Sequence, residues 1–250
     1  MIPAVEIIPE RLTDIWVYLS ASPLLHLSLT VVAYLGSDHL YRRANRHPML
    51  NPVLISVIVL VAVLSLTGTD YASYFEGAQF VHFFLGPATV ALAVPLYFNF
   101  AKLKRLWLPL SVGLAVGSLT AALSAVGIAW LLHASPQTLL ALAPKSVTAP
   151  VAMGITEKLG GPASLTAILV VSTGILGAII GPWVLNLCRV YDGAVRGFAI
   201  GTTSHGIGTA RAFQESEEAG AFSGLAMGLN TLSSSLLLPP LLKALGLVAG

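Results

Sequence analysis

Charge is what this sequence has least of. Only 10% of its 250 residues are Asp, Glu, Lys or Arg, against 56% hydrophobic, whereas a soluble globular domain carries about 25% charged residues. The few charges leave uncharged runs over 15–37, 47–69, 77–101, 106–144, 159–188 and 219–242. Each is long enough to cross a bilayer, since about 20 residues rising about 1.5 Å apiece span a hydrocarbon core of about 30 Å. A soluble chain of this length could not enclose six such runs in one core. Polar alternation is missing too: Pro52 to Leu64 reads Pro-Val-Leu-Ile-Ser-Val-Ile-Val-Leu-Val-Ala-Val-Leu, which excludes a barrel strand with its period of two. The fold class this predicts is an all-α polytopic membrane protein.

Other absences narrow the function. A single cysteine, Cys188, excludes an internal disulfide and gives no metal-ligand spacing. The net charge of +2 is small and scattered, which excludes nucleic acid as a partner. Residues 1–14 hold Glu6, Glu10, Arg11 and Asp14 without a basic n-region, so they read as a surface segment rather than a cleaved signal peptide. Residues 15–250 are predicted to form one transmembrane domain. No acid lies deep in a run: Glu6, Glu10, Asp14, Asp38, Asp70, Glu76, Glu157, Asp192, Glu215, Glu217 and Glu218 all fall in predicted loops, tails or span ends. Proton relays and cation carriers put carboxylates at membrane depth. The polar material here is Lys, Arg, His, hydroxyls and helix ends, which suits an anion.

What is present begins with the basic residues. Arg42, Arg43 and Arg46 follow the first run and Lys102, Lys104 and Arg105 the third, while Asp70 and Glu76 lie between. The positive-inside rule puts both basic clusters in the cytoplasm and the N-terminus outside. Two further apolar stretches are too short to span, 146–156 and 197–210. Either they are re-entrant pieces entering from opposite faces among six full spans, or both cross and the spans number eight. The first arrangement is preferred, and it puts Arg189, Arg196 and Arg211 inside.

Both short stretches are rich in breakers and hydroxyls. One reads Leu142-Ala-Pro-Lys-Ser-Val-Thr-Ala-Pro-Val-Ala-Met-Gly154, the other Gly201-Thr-Thr-Ser-His-Gly-Ile-Gly-Thr-Ala-Arg211. A helix broken at membrane depth survives only inside protein or beside a wet cavity, and the amide end of a half-helix attracts anions. Pro87, Pro95, Pro144, Pro150, Gly201, Gly206 and Gly208 are the predicted helix-breaking positions. Lys145, Ser146, Thr148, Ser204, His205, Thr209, Arg211 and Asn230, with Thr89 after Pro87, are the predicted substrate-binding residues. Lys145 and Arg211 would hold a carboxylate, the hydroxyls would bond its oxygens, and His205 would serve any coupled proton. The blander alternatives are that Lys145 snorkels to the headgroups and that the glycines form a packing face. Asn51, Asn186 and Asn230, the deepest of the three, read as helix caps or interhelical hydrogen-bonders. The histidines other than His205 are expected at interfaces or loop ends, and Trp16, Trp107, Trp130 and Trp183 as interfacial anchors. An internal repeat is suggested by prolines at one offset, Pro52 with Pro109 and Pro87 with Pro144.

These stretches resemble the LrgB/CidB family, whose plant relatives are plastidial glycolate/glycerate translocators. The matching strings are Asn51-Pro-Val-Leu54, Leu85-Gly-Pro-Ala-Thr-Val-Ala-Leu-Ala-Val-Pro-Leu-Tyr97, Pro144-Lys-Ser-Val-Thr-Ala-Pro150, Gly201 to Arg211 and Gly220-Ala-Phe-Ser-Gly-Leu-Ala-Met227. The resemblance implies a secondary transporter of small monocarboxylates such as glycolate, glycerate, lactate or pyruvate in the bacterial cytoplasmic membrane. It also implies a different class, an antiholin-like regulator of murein hydrolases and lysis with a small LrgA/CidA-like membrane partner. The carrier expectation brings an elevator-like architecture, a homo-oligomer and a proton or sodium as coupling ion, with no cofactor. An enzyme is not expected. Lys145 and Ser146 are adjacent and diverge on a helix, as do Ser204 and His205, and nothing resembles a triad or a metal site.

Overall fold

The computed structural model describes residues 23–84, 87, 90, 91 and 93–247. The expected surface segment 1–14, Trp16 and Thr89 lie outside them. Among the described residues the regular structure is helical, without a strand. The chain divides into two compact units between Val90 and Ala91, where the sequence reading treats 15–250 as one domain.

The first unit contains α1 (Pro23–Arg43), a 3-10 turn (Pro48–Leu50), α2 (Pro52–Thr67), α3 (Tyr71–Ala78) and α4 (Phe80–Phe83). Asn51 starts α2 by accepting from the amides of Val53 and Leu54 at 2.9 and 3.3 Å, as a cap should. Gly68 closes that helix with φ 65°. Tyr74 of α3 reaches α1 through Thr30, hydroxyl to hydroxyl at 2.8 Å. Its ring also meets the edge of His26, which is wholly buried. The expectation of an interfacial His26 is therefore corrected: Gly77 lets α3 press onto Pro23 and His26 and seal the imidazole in.

The second unit carries α5 (Ala93–Phe98), α6 (Phe100–Leu131), α7 (Pro136–Leu142), α8 (Ala149–Lys158), α9 (Ala163–Leu187), α10 (Gly193–Glu215) and α11 (Glu217–Ala244). Three of them, α6, α9 and α11, are long and apolar enough to cross a membrane. The first two begin behind Asn99 and Pro162, and α11 behind Ser216, whose hydroxyl accepts from the Ala219 amide. Lys102 of α6 lies 3.0 Å from Glu218 of α11. At the far end Ala122 and Val126 of α6 cluster with Leu238 and Leu242 of α11. These two helices therefore run parallel and define two ends of the unit, and α9 runs the opposite way, from Leu159 beside the Val126–Leu242 cluster to Leu185 beside Ala219.

α10 is not a straight rod. Arg196 and Glu215 are 19 residues apart, about 28 Å on a continuous helix, yet Arg196 Nε lies 2.8 Å from Glu215 Oε2. The reversal comes at His205, where φ 42° and ψ −135° interrupt the helical backbone. This is the left-handed side of the map, costly for a residue with a Cβ. The result is a helical hairpin with arms 193–204 and 206–215. Gly208 packs where a Cβ would strike Ser204 and Ile200 of the first arm, so only glycine lets the arms close.

A second hairpin comes from the other end. Leu139 and Leu140 of α7 and Leu159 after α8 join the cluster around Val126 and Leu242. The turn 143–148 between the two short helices is the tip. Ser135, with Pro136 behind it, starts α7 by accepting from the Thr138 amide, so the uncharged run 106–144 is a long helix plus the first arm of a hairpin.

Hairpin and following helix occur twice. Pro136–Lys158 then Ala163–Leu187 is repeated by Gly193–Glu215 then Glu217–Ala244, with starts and ends both 57 positions apart. The copies point in opposite directions, and Pro182 and Pro239 occupy matching places within α9 and α11. The repeat expected from Pro52 and Pro109 has no counterpart: one opens α2, and the other lies inside α6. Charge separates the two ends of this unit. Lys102, Lys104, Arg105, Arg189, Arg196 and Arg211 lie toward the end where α6 and α11 begin, and Lys158 and Lys243 at the other.

Candidate functional site

The two hairpin tips meet at one residue. Asn230, near the middle of α11 and 1% exposed, donates through Nδ2 to the Ser146 carbonyl at 3.1 Å and to the Thr202 carbonyl at 3.0 Å. Its Oδ1 accepts from Ser118 of α6. α9 meets the tips from another side. His205 Nε2 is 2.9 Å from the Val170 carbonyl, and Val170 also packs with Val147 and Ala152 of the other hairpin. Small residues on α9 make this possible: a Cβ at Gly174 would strike the His205 ring, and one at Gly177 would strike Ser204.

Lys145 sits in the first tip. Its ammonium donates to Ser146 Oγ at 3.2 Å, and no carboxylate within ion-pair reach is found among the described residues. Adjacency was expected to part these two side chains, but that holds on a helix, and residues 143–148 form a turn. Pro144 is fully buried beside them. Pro150 stands at the start of α8, and Thr148 precedes that helix without its side chain capping the first amides. The amide end of α8, uncapped by Thr148, thus follows within four residues of the Lys145–Ser146 contact.

The remaining predicted residues divide. Ser204 is buried and 3.2 Å from the Thr203 hydroxyl. Thr209 donates to the His205 carbonyl and shares a 2.9 Å bond with Ser223, so its hydroxyl serves the hairpin. Arg211 does not join Lys145. Six residues past the break, about 9 Å along the second arm, it lies 4.0 Å from Glu215 and 3.4 Å from the Gln214 oxygen. The reason is helical spacing, which sets Glu215 one turn below it.

Of the predicted breakers, Gly201 is a contact residue. Its Cβ would collide with the backbone of Ser223, as that of Gly197 would with Ala219, so the first arm and α11 touch backbone to backbone in the small-xxx-small manner. Gly206 follows the break directly and is exposed. Pro87 is helical and exposed, while Pro95 lies within α5 and the interruption after it falls at Asn99. Asn186 accepts from Arg196 at 2.7 Å, an interhelical bond as expected. Trp107, Trp130 and Trp183 are exposed.

One interaction that sequence reading missed pins the base of the second hairpin. Lys102 lies 2.7 Å from Asp192, which also caps α10 by accepting from the Val195 amide. The Lys102 hydrogen bond, and then the Val195 amide, hold the Asp192 carboxyl below its ordinary value of 3.8. A lowered folded value means that the stabilisation is present above pH 3.8 and is lost as pH falls through the folded value. The pair is half exposed, so its contribution is at most about 1 kcal/mol. Thermal unfolding of Asp192→Asn should accordingly lie below wild type at neutral pH and converge with it in acid, and parallel curves at all pH values would refute this.

These features define a class: a helical membrane protein whose core is a pair of inverted hairpins meeting at mid-length. The chain belongs to the LrgB-like family, whose model matches residues 30–244. Among similar proteins, the uncharacterized protein YwbG of Bacillus subtilis (strain 168) is 38% identical over 220 residues, covering 88% of this chain and 97% of that protein. Holin-like protein CidB of Staphylococcus epidermidis is 32% identical over 225 residues, 90% of this chain and 97% of the relative. Holin-like protein CidB of Staphylococcus aureus is 31% identical over 223 residues, 88% and 95% of the two chains. No solved structure matches the chain.

Proposed function

We propose that this protein is a multi-pass secondary carrier of small organic monocarboxylates in the bacterial cytoplasmic membrane. The observation that carries the reading is the convergence of two helix breaks on Asn230, beside the ammonium of Lys145. A carboxylate entering there would take the Lys145 donors from Ser146 and meet the amide end of α8, while Thr148 and Ser146 offer hydroxyls to a 2-hydroxy or 2-keto oxygen. Backbone amides and carbonyls left by a break need such a polar lining. His205, at the other tip, is the group through which a proton would be coupled. The two hairpins enter as re-entrant pieces, and transport moves the unit that bears them between two access states without covalent chemistry.

A second reading is favoured by the names of the relatives. Two of those named above are called Holin-like protein CidB, which speaks more directly for a holin- or antiholin-like role with a small CidA-like membrane partner than for carboxylate carriage. Purified protein in proteoliposomes separates the two. The carrier reading expects saturable counterflow of labelled glycolate, glycerate, lactate or pyruvate, with an encapsulated dye retained. Dye and ion leakage that does not saturate, or that requires a second membrane protein, would replace it with the holin-like reading.

A further inference from the structure

We infer that Asn230 is the positioning residue that ties the two hairpin tips into one body, and not a ligand of the transported anion. A carboxamide has two N–H donors and one oxygen acceptor. Here all are engaged: Nδ2 donates to Ser146 O at 3.1 Å and Thr202 O at 3.0 Å, and Oδ1 accepts from Ser118 and, at 3.4 Å, from Ser234. Nothing remains for a substrate. The two carbonyls belong to backbones arriving from opposite ends of the unit, each beside a helix interruption. Ser118 fixes which way the amide faces, because a hydroxyl that donates to Oδ1 leaves the NH2 toward the carbonyls.

The residue also stands at the right height. It lies 13 positions after Glu217 and 14 before Ala244, about 20 Å from either end of α11. Both hairpins stop at that level. Val170 of α9 also meets both tips, its carbonyl at His205 and its side chain against Val147, but it hydrogen-bonds to the second tip and only packs on the first. The Asn230 amide bonds to both at once. Loss of its donors in a buried site leaves two unpaired carbonyls facing each other. The tips then lose their common register, and with it the fixed placement of the turn 143–148 against the break at His205. This role in transport rests on the carrier reading, whereas the tie itself does not.

Asn230→Asp tests it: the shape and the acceptor toward Ser118 are kept, and at least one of the two N–H donors is lost. Hydrogen exchange on detergent-solubilised, monodisperse protein should rise at least tenfold at both tips, 143–148 and 203–207, with little change along α6. Saturable uptake should show an apparent KM raised about tenfold or more, and turnover changed less. Faster exchange at one tip only, or at neither, overturns the inference, as does a raised KM with exchange unaltered, which makes Asn230 a ligand. Should N230D fail to assemble, N230A carries the same test, since it removes both N–H donors without adding a charge and is expected to loosen both tips together. If wild type proves not to take up carboxylates, the exchange measurement still decides the tie.

Discussion

Lys145→Ala is expected to raise the apparent KM of carboxylate uptake by about 10- to 100-fold, with the protein still folded and inserted. A hydrogen bond to a charged group is worth about 1.5–3 kcal/mol, and each 1.4 kcal/mol is tenfold in affinity. The side chain makes one polar contact, to Ser146 Oγ at 3.2 Å, and no ion pair among the described residues. Removing it therefore costs the scaffold little. Lys145→Arg should keep the charge but misplace it, giving an intermediate KM. Initial-rate uptake in proteoliposomes, read beside thermal melting, checks both, and wild-type kinetics in the alanine variant would remove the anion site from this tip.

Gly201→Val should have the largest effect on folding, more than about 4 kcal/mol. A Cβ there meets the backbone carbonyl, carbon and Cα of Ser223, and a backbone cannot rotate aside as a flexible side chain could. The first arm of the second hairpin would be forced off α11, and the Thr202–Asn230 bond with it. Gly228→Ala is the control. Nothing lies within 4 Å of a Cβ at that position, and replacing an exposed helical glycine by alanine should be neutral or stabilise by up to about 1 kcal/mol. Equal monodisperse yields and melting temperatures for Gly201→Val and wild type would refute the close contact.

The candidate site was partly legible in the sequence because membrane depth makes breakers conspicuous. Pro144 to Pro150 and Gly201 to Arg211 interrupt apolar stretches too short to span, and they prove to hold the two tips. What could not be read was where each hairpin begins. No charge separates α6 from α7, so the run 106–144 looked like one helix; only Ser135-Pro136, a cap followed by proline, marks the boundary. A reversal within 197–210 was expected of a re-entrant piece, but its place at His205 was not, because it shows only in that residue's φ and in an ion pair spanning 19 positions, Arg196 with Glu215. For Arg211 the local neighbour went unread: Glu215 lies one helical turn away, at 4.0 Å. Asn230 stood out as the deepest asparagine, but its two carbonyl partners lie 84 and 28 residues away.

The inverted pair of hairpins has a consequence for biogenesis. Turned upside down, the backbone of residues 136–244 presents much the same outline, so its shape is blind to sidedness and cannot by itself tell a translocation machinery which face belongs in the cytoplasm. By the positive-inside rule that information would have to come from charge: the six lysines and arginines gathered where α6 and α11 begin, set against Lys158 and Lys243 opposite, with Arg42, Arg43 and Arg46 of the first unit.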